Sequence, residues 1–237
     1  METLTFRPQQ SATAPLSKKF PFELRVLSPD ADRSEVFALR YRAYRDAWCI
    51  PIDKSEQIAD RHDTLSSSAL IAAYDGDACV GALRVCFSHP GETHLALPCA
   101  PYYPAVQDLK RTNAGSLVEM SRLAIEPTIS NTSYRTTLYA SLVRAGFMAA
   151  QAADVSMILI ATRPEWVRFY KYMLGFKTIG QPAIYPPGDV PIVLLGGSFG
   201  EAQTRQRAQN AYFKITDEEI ASMKTAIAPA LAMRVAA

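Results

Sequence analysis

One short run constrains this chain more than any other. Val155–Ala161 is apolar at every position except Ser156, and it lies between a helical pattern at Ser133–Ala153 and a proline-led one at Pro164–Leu174 that Gly175 ends. A strand that does not alternate is buried on both faces, which demands a sheet layered with helices. The run is also far shorter than the roughly 20 apolar residues that cross a bilayer. No transmembrane segment is expected.

The rest of the chain supplies the other elements of such an architecture. Phe22–Leu27 reads as a strand, and Asp30 or Asp32 can cap a helix to about Trp48, on which Phe37, Tyr41, Tyr44 and Trp48 form one aromatic face. Ala69–Tyr74 and Ala78–Phe87 flank an Asp75-Gly76-Asp77 turn and read as a hairpin. Ser88–Gly115, with four prolines and two glycines, is expected to be a long irregular insertion. Leu117–Ile125 is a further strand, and two more are expected around Phe176–Tyr185 and Val190–Leu195. The fold class is α/β, a mixed central sheet flanked by helices. Residues 1–21 read as a flexible arm, 22–197 as the domain, and 198–237 as a helical C-terminal extension with a capping box at Thr216-Asp-Glu-Glu219.

Composition excludes several functions. The net charge of +2 is too small to indicate nucleic-acid binding. The four cysteines have neither C-x-x-C spacing nor the density of a disulfide scaffold, and Met1–Phe20 lacks the apolar run of a signal peptide, so reduced thiols and a cytoplasmic location are expected. His62, in Asp60-Arg-His-Asp63, matches no zinc-ligand spacing, so no metal is expected.

The string most able to carry chemistry is Val118-Glu119-Met120-Ser121-Arg122-Leu123-Ala124-Ile125, where an acid, a hydroxyl and a base interrupt an apolar strand. Alternation puts Glu119 and Ser121 on one face and Arg122 on the other, unless a bulge re-aims them. Glu119 is a candidate base for an attacking amine. It is equally a candidate for a buried pair with Arg84 or Arg122. Two arginines against one glutamate leave a positive excess suited to a substrate carboxylate.

At this string the chain resembles the acyl-homoserine-lactone (autoinducer) synthases and the long-chain N-acyl amino acid synthases, both within the GNAT-like N-acyltransferase fold. The similarity spans about Phe22–Gly197 and rests on four ordered pieces: Arg40-Tyr-Arg-Ala-Tyr44 leading to Trp48, Asp60-Arg-His-Asp63, Gly81-Ala-Leu-Arg84 and Glu119-Met-Ser-Arg122. The resemblance implies a V-shaped opening between strands 117–125 and 155–161 that takes the donor's pantetheine arm. It also implies Glu119, Ser121 and Arg122 at the reaction centre, with Arg40, Trp48, Asp60, Asp63 and Arg84 shaping the acceptor side. Autoinducer synthases carry an acid two positions before the D-x-x-D pair, where this chain has Ile58. That departure favours the amino acid synthases.

The donor side departs too. Acetyl-CoA-using relatives cradle a pyrophosphate in a glycine-rich turn, but Glu126–Thr136 contains no glycine. A helix start capped at Asn131, Thr132 or Ser133, with Arg135, can hold the single phosphate of a phosphopantetheine arm. An acyl carrier protein is therefore the expected donor and partner, with acyl-CoA as the alternative and no tightly bound cofactor. Arg135, Arg144, Arg163, Arg168, Lys171 and Lys177 are candidates for its docking surface. The resemblance further implies a tyrosine that protonates the leaving thiolate, Tyr170 or Tyr172, although packing explains either. The expected activity is transfer of a fatty acyl group from a carrier-protein thioester to the amine of an amino acid. Its rivals are an autoinducer synthase using S-adenosylmethionine, an acetyl-CoA-dependent N-acetyltransferase and a non-catalytic binding module.

Overall fold

The computed structural model describes residues 22–27, 31–48, 50, 54–89, 97–112 and 115–231, with the side chains of Asp46 and Trp48 outside that set. The arm at 1–21, a cap at Asp30, Cys49, His94 and the indole of Trp48 thus lie outside the described residues. Strands β1 (Glu23–Leu27), β2 (Ser68–Asp75), β3 (Ala78–Ser88), β4 (Ser116–Ile125), β5 (Val155–Thr162), β6 (Lys177–Thr178), β7 (Ala183–Ile184) and β8 (Pro191–Ser198) form one mixed sheet. Its order is β1-β2-β3-β4-β5-β8-β6, with β7 paired to β8. The β4–β5 pair is parallel and the other pairs are antiparallel.

Helices cover both faces, as the apolar run in β5 requires. On one face, α1 (Ser34–Trp48) packs Val36, Leu39, Tyr41 and Tyr44 over Leu70, Ala72, Ala82 and Ala124. On the other, α3 (Thr132–Ala152) packs Leu138, Leu142, Ala145 and Phe147 over Leu83, Val85, Val118, Met120, Ile158 and Ile160. Gly146 lets α3 approach closely, since a Cβ there would meet Leu83 Cδ2 and Met120 Sδ, both at 2.9 Å.

The parallel pair then opens. Its last registered partners are Met120 and Ile160; beyond them β4 pairs with β3 to Ile125, and β5 pairs with β8 to Thr162. Nothing among the described residues joins the two strands past that point. The strands part at the place where the resemblance implies a V-shaped opening.

Three expectations from the sequence are corrected by the structure. Ser88–Gly115 is not irregular throughout, because α2 (Ala105–Thr112) follows Pro104, a residue as compatible with a helix entrance as with a loop. Phe176–Tyr185 is not one strand but the two-residue segments β6 and β7, separated by Gly180 at φ 70° and by Pro182, which has no N–H for a ladder. Likewise Pro164–Trp166 is a 3-10 turn ahead of α4 (Val167–Leu174).

After β8 the chain forms α5 (Phe199–Gln209), α6 (Asp217–Ala226) and α7 (Ala228–Leu231). Thr216 and Glu219 make the reciprocal capping box at the start of α6. Buried Arg144 of α3 ties this segment down, donating to the carbonyls of Tyr212 and Lys214 at 2.7 and 2.6 Å and pairing with Glu219 at 2.8 Å. A guanidinium so committed is internal, so Arg144 is removed from the candidate docking surface.

Candidate active site

The spacing of Asp60 and Asp63 is that of a capping box around the single turn Arg61–Asp63. The Asp60 carboxylate accepts from the His62 N–H at 2.8 Å, while the Asp60 N–H donates to Asp63 Oδ2 at 2.9 Å. With their backbone duties met, both carboxylates still have oxygens for arginines. Asp63 pairs with Arg40 at 2.9 Å and Arg84 at 3.2 Å. Asp60 bridges Arg84 at 2.7 Å and Arg122 at 2.8 Å. Arg33 adds a donor to the Asp63 carbonyl.

Arg122 joins this cluster because β4 bulges. Ala82 and Arg84 face Ala124 and Ser121, so β4 carries one extra residue across that interval, and Arg122 itself sits at φ 57°. Such a conformation costs a non-glycine residue roughly 1–2 kcal/mol. The bulge swings Arg122 to the side that carries Arg84 and Ser121, then restores the alternation so that Leu123 meets the α3 core and Ala124 the α1 core. Arg84 Nε donates to Ser121 Oγ at 3.3 Å, and Tyr44 Oη donates to the Leu123 carbonyl at 3.0 Å.

Glu119 pairs with neither arginine. Fully enclosed, it accepts from the Cys99 N–H at 2.7 Å on Oε2 and from the Tyr185 hydroxyl at 2.9 Å on Oε1. Of the two readings open at the sequence level, the buried Glu–Arg pair is therefore not what forms; Asp60 takes both partners. Four guanidiniums, those of Arg33, Arg40, Arg84 and Arg122, share the region with the carboxylates of Asp60, Asp63 and Glu119. Buried Nη2 of Arg84, Nε of Arg122, and Nε and Nη2 of Arg40 have no acceptor among the described residues.

Electrostatics follow from this crowding. Burial works against the Asp60 carboxylate, but the His62 hydrogen bond and then Arg84 and Arg122 outweigh it and hold Asp60 well below its ordinary range. Burial lowers Arg40, partly offset by Asp63. Burial also acts against Arg84, yet Cys86, Asp63 and Asp60 raise it overall. Every charge here is held by a neighbour, which is how charges survive inside a fold.

On the donor side, Asn131 caps α3 by accepting from the Tyr134 N–H at 3.0 Å. Ser133 is exposed in its first turn. Arg135 Nη1 donates to the carbonyls of Glu126 and Ile129, bracing the glycine-free loop. Tyr170 faces inward and accepts from the Tyr139 hydroxyl at 3.0 Å, whereas Tyr172 is 69% exposed. Arg163 is spent on the Ala47 carbonyl and Glu165, leaving Arg168, Lys171 and Lys177 as exposed cations. Among the described residues no group of three or more His, Cys, Asp or Glu is placed to hold a metal ion.

A family model described as "N-acyl amino acid synthase FeeM" matches residues 35–198, from α1 through the last residue of β8. The chain belongs to that family. It is an N-acyltransferase. In fold it is similar to FeeM, an N-acyl amino acid synthase from uncultured soil microbes (TM-score 0.64, 19% identity, covering 81% of this chain and 98% of that one). It is also similar to the AHL synthase LasI (0.54, 16%, 79% and 95%). A third likeness is to BjaI, a CoA-dependent acyl-homoserine lactone synthase solved with SAM and isopentyl-CoA (0.54, 12%, 85% and 98%). No curated protein sequence matches the chain.

In this FeeM-family chain the D-x-x-D turn and the arginines lie together as one cluster, and Glu119 is held instead by Cys99 and Tyr185, two residues not expected at the site. Cys99 lies in the proline-rich insertion and Tyr185 just before Pro186-Pro187, where the chain is held extended. That local stiffness was the available signal for Tyr185.

Proposed function

We propose that this N-acyltransferase moves a fatty acyl group from an acyl carrier protein thioester to the amine of an amino acid. The observation that carries the acceptor half is the set of buried guanidinium N–H groups without acceptors, on Arg84 and Arg122, close to Tyr185 and Glu119. An unsatisfied buried donor costs roughly 1–3 kcal/mol, and a carboxylate supplies the acceptor these groups lack. An α-carboxylate held there would set the amine towards Glu119, a carboxylate with no arginine partner among the described residues.

In the reaction so proposed, the acceptor's ammonium group loses a proton towards Glu119, and the neutral amine attacks the thioester carbonyl. The C–N bond forms, a main-chain N–H of β4 beyond Met120 holds the oxyanion, and the C–S bond breaks. The leaving thiolate takes a proton from Tyr170, and the second proton released by the acylated nitrogen replaces it by way of solvent. The carrier-protein donor is supported by the glycine-free loop that Arg135 braces and by the exposed Arg168, Lys171 and Lys177, with Ser133 at the helix start available to one phosphate.

Ile58 argues against the autoinducer reading. It is a buried apolar residue in the cluster that holds Leu39, Tyr41 and Tyr44, so this position supplies no carboxylate to a sulfonium. The test offers carrier protein loaded with several chain lengths, and matching acyl-CoAs, to the enzyme with pooled amino acids. An N-acyl amino acid by mass spectrometry from the carrier donor supports the proposal. A lactone formed only with S-adenosylmethionine, product only from coenzyme A, or no thioester consumption overturns it.

A further inference from the structure

Glu119 raises a problem for its own role. Its carboxylate is 0% exposed, and both oxygens already have donors. A proton leaving an amine must nevertheless reach it. Of the two donors, the Cys99 backbone amide cannot pass a proton along without losing its amide character, and the Cys99 side chain points into the cluster of Cys86, Leu97 and Leu159, away from solvent. The Tyr185 hydroxyl both accepts and donates. It is also the less enclosed of the pair, 5% exposed where Glu119 is 0%, and its ring is 5.9 Å from the Arg122 guanidinium, which pairs with the 27% exposed Asp60. From solvent inwards the order is Asp60, Arg122, Tyr185, Glu119.

We propose that Tyr185 carries the proton from the acceptor's amine to Glu119. The inference rests on Glu119 being the base. The acceptor's ammonium N–H donates to the Tyr185 oxygen while the Tyr185 O–H proton moves to Glu119 Oε1, so the phenol is neutral before and after, the carboxylate becomes a carboxylic acid, and the neutral amine so formed keeps the electron pair with which it attacks. Two further features suit the task. Burial, and next the Glu119 carboxylate, push the Tyr185 phenol well above its ordinary value, so it stays a protonated donor near neutral pH. The segment is also fixed in place: Arg122 Nη1 donates to the Pro186 carbonyl at 2.9 Å, and the Tyr102 ring stands edge-on to Tyr185 at 5.1 Å.

The experiment follows acyl transfer in a single turnover, using the carrier-protein and amino-acid pair that gives most product in the screen above, in mixtures of light and heavy water. Two protons moving together make the wild-type rate bow when plotted against deuterium fraction. Tyr185→Phe is expected to lower the transfer rate about 100-fold with the acceptor KM within about twofold, and its residual rate should follow a straight line. A straight line in the wild type overturns the relay, and so does a Tyr185→Phe rate within about threefold of wild type. Glu119→Gln separates the two ideas. If it is inactive while Tyr185→Phe is not, only the relay fails; if it too is near normal, the base assignment fails with it.

Discussion

Asp60→Asn tests the cluster at its most connected point. Asparagine keeps an oxygen that can accept from the His62 N–H, so the cap of the Arg61–Asp63 turn survives, while the charge that bridges Arg84 and Arg122 is lost. Removing one member of a buried pair costs roughly 3–5 kcal/mol. Asp60 retains 27% exposure and water can partly replace it, which lowers the expectation to about 2–3 kcal/mol. For a chain of this size that is a fall of about 4–12 °C in Tm, read by calorimetry or circular dichroism near pH 7. The sign with pH is fixed as well. Because the folded Asp60 lies below its ordinary 3.8, its contribution is complete above that value and is lost as pH falls towards the folded pKa. The gap between wild type and Asp60→Asn should stay constant from about pH 5 to 8 and close below about pH 4. A variant within about 1 °C of wild type at pH 7, or a gap that widens in acid, refutes the reasoning.

Arg144→Met should be more damaging, about 3–5 kcal/mol, since it strands the enclosed Glu219 carboxylate; adding Glu219→Leu should restore much of the loss in a thermal melt. Cys79, Cys86 and Cys99 should resist alkylation at pH 8 in the folded protein and react on unfolding, as peptide mapping would show. Burial first, then Glu35 for Cys79, pushes that thiol up to about 12, and burial likewise lifts Cys86 to about 12 against the pull of Arg84. Rapid labelling of any of the three in the native state counts against the packing described. Glu119→Gln should lower turnover by about 100-fold or more with Tm little changed, because the amide oxygen can accept from the Cys99 N–H while the amide N–H donates to the Tyr185 oxygen; a near-normal rate removes Glu119 from the chemistry.

Much of the architecture was legible because it depends on short-range pattern. The non-alternating run in β5 requires two covered faces whatever the rest of the chain does, and the Asp75-Gly76-Asp77 turn fixes the hairpin locally. The D-x-x-D pair was legible as a motif, and its spacing has a physical cause in the reciprocal cap of one turn. What stayed hidden is non-local. Simple alternation sends Arg122 away from Arg84, and only the positive φ at Arg122 brings it back, a backbone choice that nothing in the string Met-Ser-Arg-Leu announces. The partners of Glu119 come from 20 and 66 residues away, across the proline-rich insertion and from the segment beside β8. Helix α2 was concealed by prolines that serve a helix entrance as readily as a turn.

The central claim, that the site takes an amine bearing a carboxylate, is tested most directly by its acceptor's amide. The preferred amino acid from the screen and its C-terminal carboxamide, which keeps the amine and side chain, are compared by kcat/KM on the same acyl donor. Losing charge-assisted bonds to guanidinium groups, worth roughly 1.5–3 kcal/mol, predicts that the carboxamide is slower by about 10- to 100-fold. Equal kcat/KM for the two acceptors would contradict it.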